Sequence, residues 1–83
     1  MGIEKKKMEL REEMALHALR KAIGASQAEI AEAMSINQSA VAKLERREDI
    51  RIQSLFRLIQ AMGGELEINA KFEEGNVKIT NYG

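Results

Sequence analysis

"SQAEIAEAMSINQSAVAKLE", residues 26 to 45, decides how this 83-residue chain folds. Ser26 followed three residues later by Glu29 is a capping box, in which two side chains satisfy backbone N–H groups that a helix start leaves orphaned. It predicts a helix from Gln27 to Met34 with Ile30, Ala31 and Met34 on its apolar face. Ser35 and Ile36 break that helix, Asn37 restarts the chain as a second N-cap, and a third helix follows from Gln38 to about Arg46. Two short helices joined by a tight turn make a helix-turn-helix. Ala31 falls where they would cross, and its methyl group permits close backbone approach. Ile36, Val41 and Leu44 supply the apolar contacts that set the angle between them. With those turned inward, Gln38, Ser39, Lys43 and Arg46 remain on the outer face.

Upstream, Ala15, Leu16, Leu19, Ala22 and Ile23 recur at three- and four-residue spacing and predict a first helix from about Lys5 to Ala22, stopped by Gly24. Leu10 and Met14 lie on a neighbouring stripe that could face a partner. Downstream, Ile52, Leu55, Phe56, Leu58, Ile59 and Met62 are dense enough to be buried on more than one side of a fourth helix, which Gly63 and Gly64 end. The period then changes to two. Leu66, Ile68, Ala70 and Phe72 alternate with polar residues, "EEGN" turns the chain, and Val77 and Ile79 continue the alternation. A two-stranded hairpin is marginal alone, so it must dock on the helices or on a second subunit. The expected organisation is a helical domain over 1–64, with the helix-turn-helix at 26–46, and a hairpin arm over 65–83 that joins the same folding unit or a dimer interface. The fold class is mainly α: four helices and a C-terminal β-hairpin.

A chain this short buries only about 60% of its unfolded surface. It has no cysteine, so neither a disulfide nor a thiolate metal site can reinforce it, and oligomerisation is the expected supplement. No apolar run of membrane-spanning length and no secretory signal are present, which predicts a soluble, cytoplasmic protein. The formal net charge is zero, yet residues 1–64 carry eleven Lys and Arg against nine Asp and Glu, while residues 65–83 carry two against four. A basic front and an acidic tail are hidden in the average. Glu12, Glu13, Glu29 and Glu32 pair with no Cys or His, and no carboxylate dyad, metal-ligand set, activated nucleophile or Gly-rich phosphate loop can be assembled. No enzyme, metal or cofactor is expected. His17, the single histidine, falls off the apolar stripe of the first helix and is expected to be exposed and idle.

The pattern resembles the helix-turn-helix of the lambda-repressor/Cro-like (Xre) family. Ser26, Gln27, Ala31, Ile36, Gln38, Ser39, Val41, Leu44 and Glu45 all fall at family spacing, and the likeness covers Arg20 to Glu45. The resemblance implies that Gln27 bonds a DNA phosphate, that Gln38, Ser39 and Lys43 face base edges, and that Asn37 and Arg46 touch the DNA backbone. It also implies a structural ion pair between Arg20 and Glu45. The physics is compatible: a glutamine offers a donor and an acceptor that match adenine N6 and N7, and a lysine can reach guanine O6 or N7. Free N–H groups at the starts of the second and third helices suit phosphates. Ser35 departs from the family, which has glycine there. If its backbone is left-handed, serine costs about 1 kcal/mol relative to glycine.

"RREDIRIQSLFRLIQAMGGELEINAKF" is similar to the segment after the helix-turn-helix in HigA-type antitoxins, which dimerise, bind their own operator and pair with a RelE-like toxin. The expected function is a sequence-specific DNA-binding repressor that reads a palindromic operator in double-stranded DNA as a homodimer. The alternative is an antitoxin whose main work is covering a RelE-like toxin, with DNA binding serving autoregulation. In the plainest reading Lys43, Arg46 and Arg47 are only a solvated basic face, and Gln38 and Ser39 only wet helix residues. The hairpin and the Leu10/Met14 fringe compete as dimer surfaces.

Overall fold

The computed structural model describes residues 13–81. Its elements run in the order α1 (Leu16–Ile23), α2 (Gln27–Met34), α3 (Gln38–Arg46), α4 (Ile52–Ala61), β1 (Ile68–Phe72) and β2 (Gly75–Ile79). Helix α2 is central, packing on α3 and α4, and α3 also packs on α1. Ile30, Val41 and Leu58 are fully buried between them, joined by Ile23, Ala31 and Met62. Leu16, Leu19, Ala25, Met34, Ile36, Ile50, Ile59 and Ala61 pack around that cluster. Ala31, expected where the helices cross, is buried at 5% exposure in this core. Leu44 is half-buried and lies outside the cluster.

The capping box is complete: Ser26 Oγ accepts from the Glu29 N–H at 3.0 Å, and Glu29 Oε1 accepts from the Ser26 N–H at 2.8 Å. Three helices end the same way. After α1, the Gly24 N–H donates to Lys21 O and the Ala25 N–H to Arg20 O; after α4, Gly63 and Gly64 donate to Gln60 O and Ile59 O. After α2, Ser35 and Ile36 make the same pair of bonds to Glu32 O and Ala31 O. This is the Schellman arrangement, in which a residue just past the helix is left-handed: Gly24 and Ser35 directly after α1 and α2, and Gly63 one residue later after α4. Gly24 and Gly63 take φ 81° and 90°, and Ser35 takes φ 58° with ψ 41°. Ser35 is the one non-glycine residue at positive φ among those described. Its Cβ meets the steric penalty that glycine avoids, so Ser35→Gly is expected to stabilise the fold by about 1 kcal/mol. For a domain of this size that raises the melting temperature by about 4–8 °C. A thermal melt that falls instead would show that the serine side chain contributes more than its backbone costs.

The first helix differs from its sequence reading. It begins at Leu16, with Ala15 extended at φ −70°, ψ 155°, and residues 13–15 are not helical. The expected start at Lys5 and the partner-facing Leu10 lie outside the described residues. Ala15, placed on the apolar stripe by periodicity, is exposed, while Met14 is half-buried. Strong helix formers such as Glu and Met differ from poorer ones by only tenths of a kcal/mol, too little to hold a helix where packing does not. Ile52 also departs from expectation: it is 45% exposed at the first turn of α4, whose burial centres on Leu58.

The hairpin pairs antiparallel, with Ile68 opposite Ile79, Ala70 opposite Val77, and Phe72 opposite Gly75. Glu73 and Glu74 form the turn at negative φ, and Gly75 at φ 144° takes up the conformation that closes it. Opposed residues share a face, so Ile68, Ala70, Phe72, Val77 and Ile79 make one apolar surface. On the other face Lys78 lies 3.7 Å from Glu67. None of the apolar five belongs to the helical core cluster, and Phe72 and Val77 are 58% and 51% exposed. Ile68, Ala70 and Ile79 are half-buried, and the apolar face stands open at Phe72 and Val77.

Candidate nucleic-acid interface

The outer surface of α3 starts with its own cap. Asn37 Oδ1 accepts from the Ala40 N–H at 2.8 Å, which fixes the helix start, and also accepts from Ser39 Oγ at 2.7 Å. The Ser39 hydroxyl proton is thereby used, and what Ser39 offers outward is an acceptor oxygen. Asn37, Gln38, Ser39, Lys43 and Arg46 are all exposed. No hydrogen bond or ion pair among the described residues holds Lys43 or Arg46, so both ammonium and guanidinium groups are available to a ligand.

Beneath that face lies a connected polar chain. Arg20, 8% exposed, donates from Nε and Nη2 to the two carboxylate oxygens of Glu45, also 8% exposed, and from Nη1 to Ala25 O at 2.9 Å. The pair therefore ties α1, the turn after it and α3 together. Glu45 Oε1 accepts a further bond from Gln27 Nε2 at 3.1 Å, and Gln27 Oε1 accepts from Gln38 Nε2 at 3.4 Å. Burial works to raise the Glu45 pKa, but the hydrogen bonds from Arg20 and Gln27 and the charges of Arg20 and His17 outweigh it, leaving the carboxyl below its ordinary range. It is held as the anion.

The six sequence-derived contact residues thus divide. Gln38, Ser39, Lys43 and Arg46 share the outer face of α3, with Asn37 at its head. Gln27 sits behind them on α2, half-buried, linking the ion pair to Gln38. Its amide was expected to meet a phosphate; within the chain it is engaged by Glu45 and Gln38. That link joins residues eleven and eighteen positions apart, so only the crossing of α2 over α3 reveals it. His17 and Lys21, which the sequence reading gave no role, stand beside the same network on α1.

Comparison with known proteins agrees with this geometry. The helix-turn-helix family model matches residues 16–69. A Mycobacterium tuberculosis protein named "Putative antitoxin HigA3" is 37% identical over 78 residues, covering 87% of this chain and 72% of the relative. The structure of "DNA bound antitoxin HigA3" superposes with a TM-score of 0.80 at 34% identity, over 88% of this chain and 97% of that one. A structure described as "Induced DNA bending by unique dimerization of HigA antitoxin" superposes with a TM-score of 0.78 at 35% identity, over 87% and 99%. Together with the four helices, the left-handed turn at Ser35 and the Arg20–Glu45 pair, these matches show that the chain belongs to the helix-turn-helix family of lambda-repressor-like (Xre) folds, in the branch that holds the HigA antitoxins.

Proposed function

We propose that this protein is a sequence-specific DNA-binding transcriptional regulator, a repressor that reads a palindromic operator as a homodimer. The observation that carries the reading is the outer face of α3, where Gln38 and Ser39 at the helix start and Lys43 further along are exposed together and Gln38 is steadied by Gln27. A recognition helix enters the major groove with its N-terminal residues toward the bases. Gln38 and Lys43 are the residues that read base edges, Ser39 accepts from an exocyclic amine, and Gln27, Asn37 and Arg46 contact the backbone. A two-fold dimer sets two such helices about 34 Å apart, one turn of the duplex. The relatives whose structures are described as DNA-bound and as bending DNA through dimerisation support the same reading. A regulator of this kind works in the cytoplasm and needs no cofactor. Its hairpin arm, residues 65–83, serves the dimer and not the helical core.

The test is selection of tight binders from a random duplex pool, followed by Gln38→Ala. We expect a palindromic consensus, and for Gln38→Ala a loss of preference at one position per half-site by about 1–3 kcal/mol with an unchanged circular-dichroism melt. A variant that keeps the full preference of the parent would remove Gln38 from the reading surface. A second function, neutralising a RelE-like toxin, is favoured by the antitoxin names of the relatives. Co-expression with the product of an adjacent toxin-sized reading frame should recover a complex, and recovery of the chain alone would leave the plain repressor.

A further inference from the structure

We infer that the cleft between α1 and α3 is a second DNA contact, a clamp for one backbone phosphate in which Lys21 and His17 act with Arg46. This rests on the DNA-binding reading and adds residues from outside the helix-turn-helix. The cleft has a volume of about 330 Å³ and is lined by His17, Arg20, Lys21, Gln27, Ala42, Glu45 and Arg46. His17 and Lys21 are four residues apart and so lie on one face of α1, on either side of the buried Arg20. Arg46 faces them from the last turn of α3. Glu45 is the one carboxylate in the lining, and its oxygens already accept from Arg20 and Gln27. What remains is a surplus of donors: the Lys21 ammonium, the Arg46 guanidinium and an imidazole N–H of His17.

A phosphodiester is the complement of that set, a single negative charge whose non-bridging oxygens only accept. The position of the cleft makes a duplex its source. Gln38, Ala42 and Arg46 are spaced by four along α3 and form one stripe, so the cleft borders the helix flank that begins at the base-reading end. Gln27 lines the cleft and is bonded to Gln38. When α3 lies in the major groove, the flank carrying this stripe faces a groove wall, and the wall is a phosphate strand. A contact of this kind positions the protein without reading sequence.

Lys21→Gln is therefore expected to weaken binding to a random-sequence duplex and to the selected duplex by the same factor, about eightfold at 0.1 M salt, and to reduce the salt slope by about 0.9. His17→Gln should weaken both duplexes equally and less, and Lys21→Arg should restore the slope. Arg57→Gln, which removes the same charge from exposed α4, serves as the control and should keep the wild-type slope. His17 is the only histidine, so its imidazole resonance reports the cleft directly and should move on titration with either duplex. An unchanged slope in Lys21→Gln, or an equal loss in Arg57→Gln, would overturn the clamp while leaving the repressor reading intact. A histidine resonance that moves with inorganic phosphate but not with duplex at matched ionic strength would assign the cleft to a small anion and overturn it too. Wild-type protein with no salt-dependent duplex binding would overturn both readings at once.

Discussion

Glu45→Ala is expected to lower the stability of the fold by about 3–5 kcal/mol, out of a total of about 5–15 kcal/mol for a natural domain. The Glu45 side chain is 2% exposed and that of Arg20 10%. Removing the carboxylate leaves a guanidinium enclosed without its counter-charge, and it also strips Gln27 of the acceptor that orients it. The loss corresponds to a fall in melting temperature of more than about 10 °C. The cause is the stranded charge, since a buried pair replaced whole is often close to neutral. The double variant Arg20→Met with Glu45→Leu should therefore recover most of the stability. If the double variant melts as low as the single one, shape at the α1–α3 contact, and not charge, holds the helices together.

The same pair sets a pH dependence whose sign follows from its direction. Glu45 is held below its ordinary value of 4.5, so the folded state favours the anion more than the unfolded chain does. Its contribution is fully present above that value and is lost as pH falls through the lower folded value. The melting temperature should be flat with respect to this group near neutrality and decline in acid. In the Arg20→Met, Glu45→Leu variant that part of the decline should be missing.

What could be read from the sequence was what neighbours along the chain decide. The Ser26/Glu29 box, the Asn37 cap and the glycine stops act over three or four residues, and each predicted its helix end to within a residue. The left-handed backbone at Ser35 was suggested only by the family's usual glycine at that turn, since serine itself carries no stop signal. The start of α1 was not legible at Glu13 to Ala15, where good helix formers and no stop signal precede a helix that begins at Leu16. Periodicity placed Ile52 inside, but the helix start it occupies lies away from the core at Leu58. The site divides along the same line. The outward face of α3 follows from its own spacing, whereas the Gln27 link to Gln38 and the His17/Lys21 cleft exist only once α1, α2 and α3 cross.

Changing Phe72 and Val77 together to aspartate is expected to convert a dimer into a monomer and to weaken operator binding by about 100-fold. The hairpin's apolar face is open at Phe72, 58% exposed at its tip, and at Val77, 51% exposed at its centre. Both of its edges carry unpaired backbone groups, which invite another strand. A two-stranded hairpin with one uncovered apolar face is marginal in water, and a second copy of the same face covers it under two-fold symmetry. The same two-fold axis is the one a palindromic operator requires. The size of the binding loss follows from linkage: the second half-site meets its reading helix at an effective concentration near 1 mM in the dimer, against a half-site Kd of about 10 μM. Light scattering reads the mass, and the helical circular-dichroism melt should change little, because neither residue belongs to the core of α1 to α4. A chain ended at Gly64 should behave as the double variant does. If either protein still scatters as a dimer, the interface lies elsewhere, and the half-buried Met14 at the edge of α1 becomes the surface to change next.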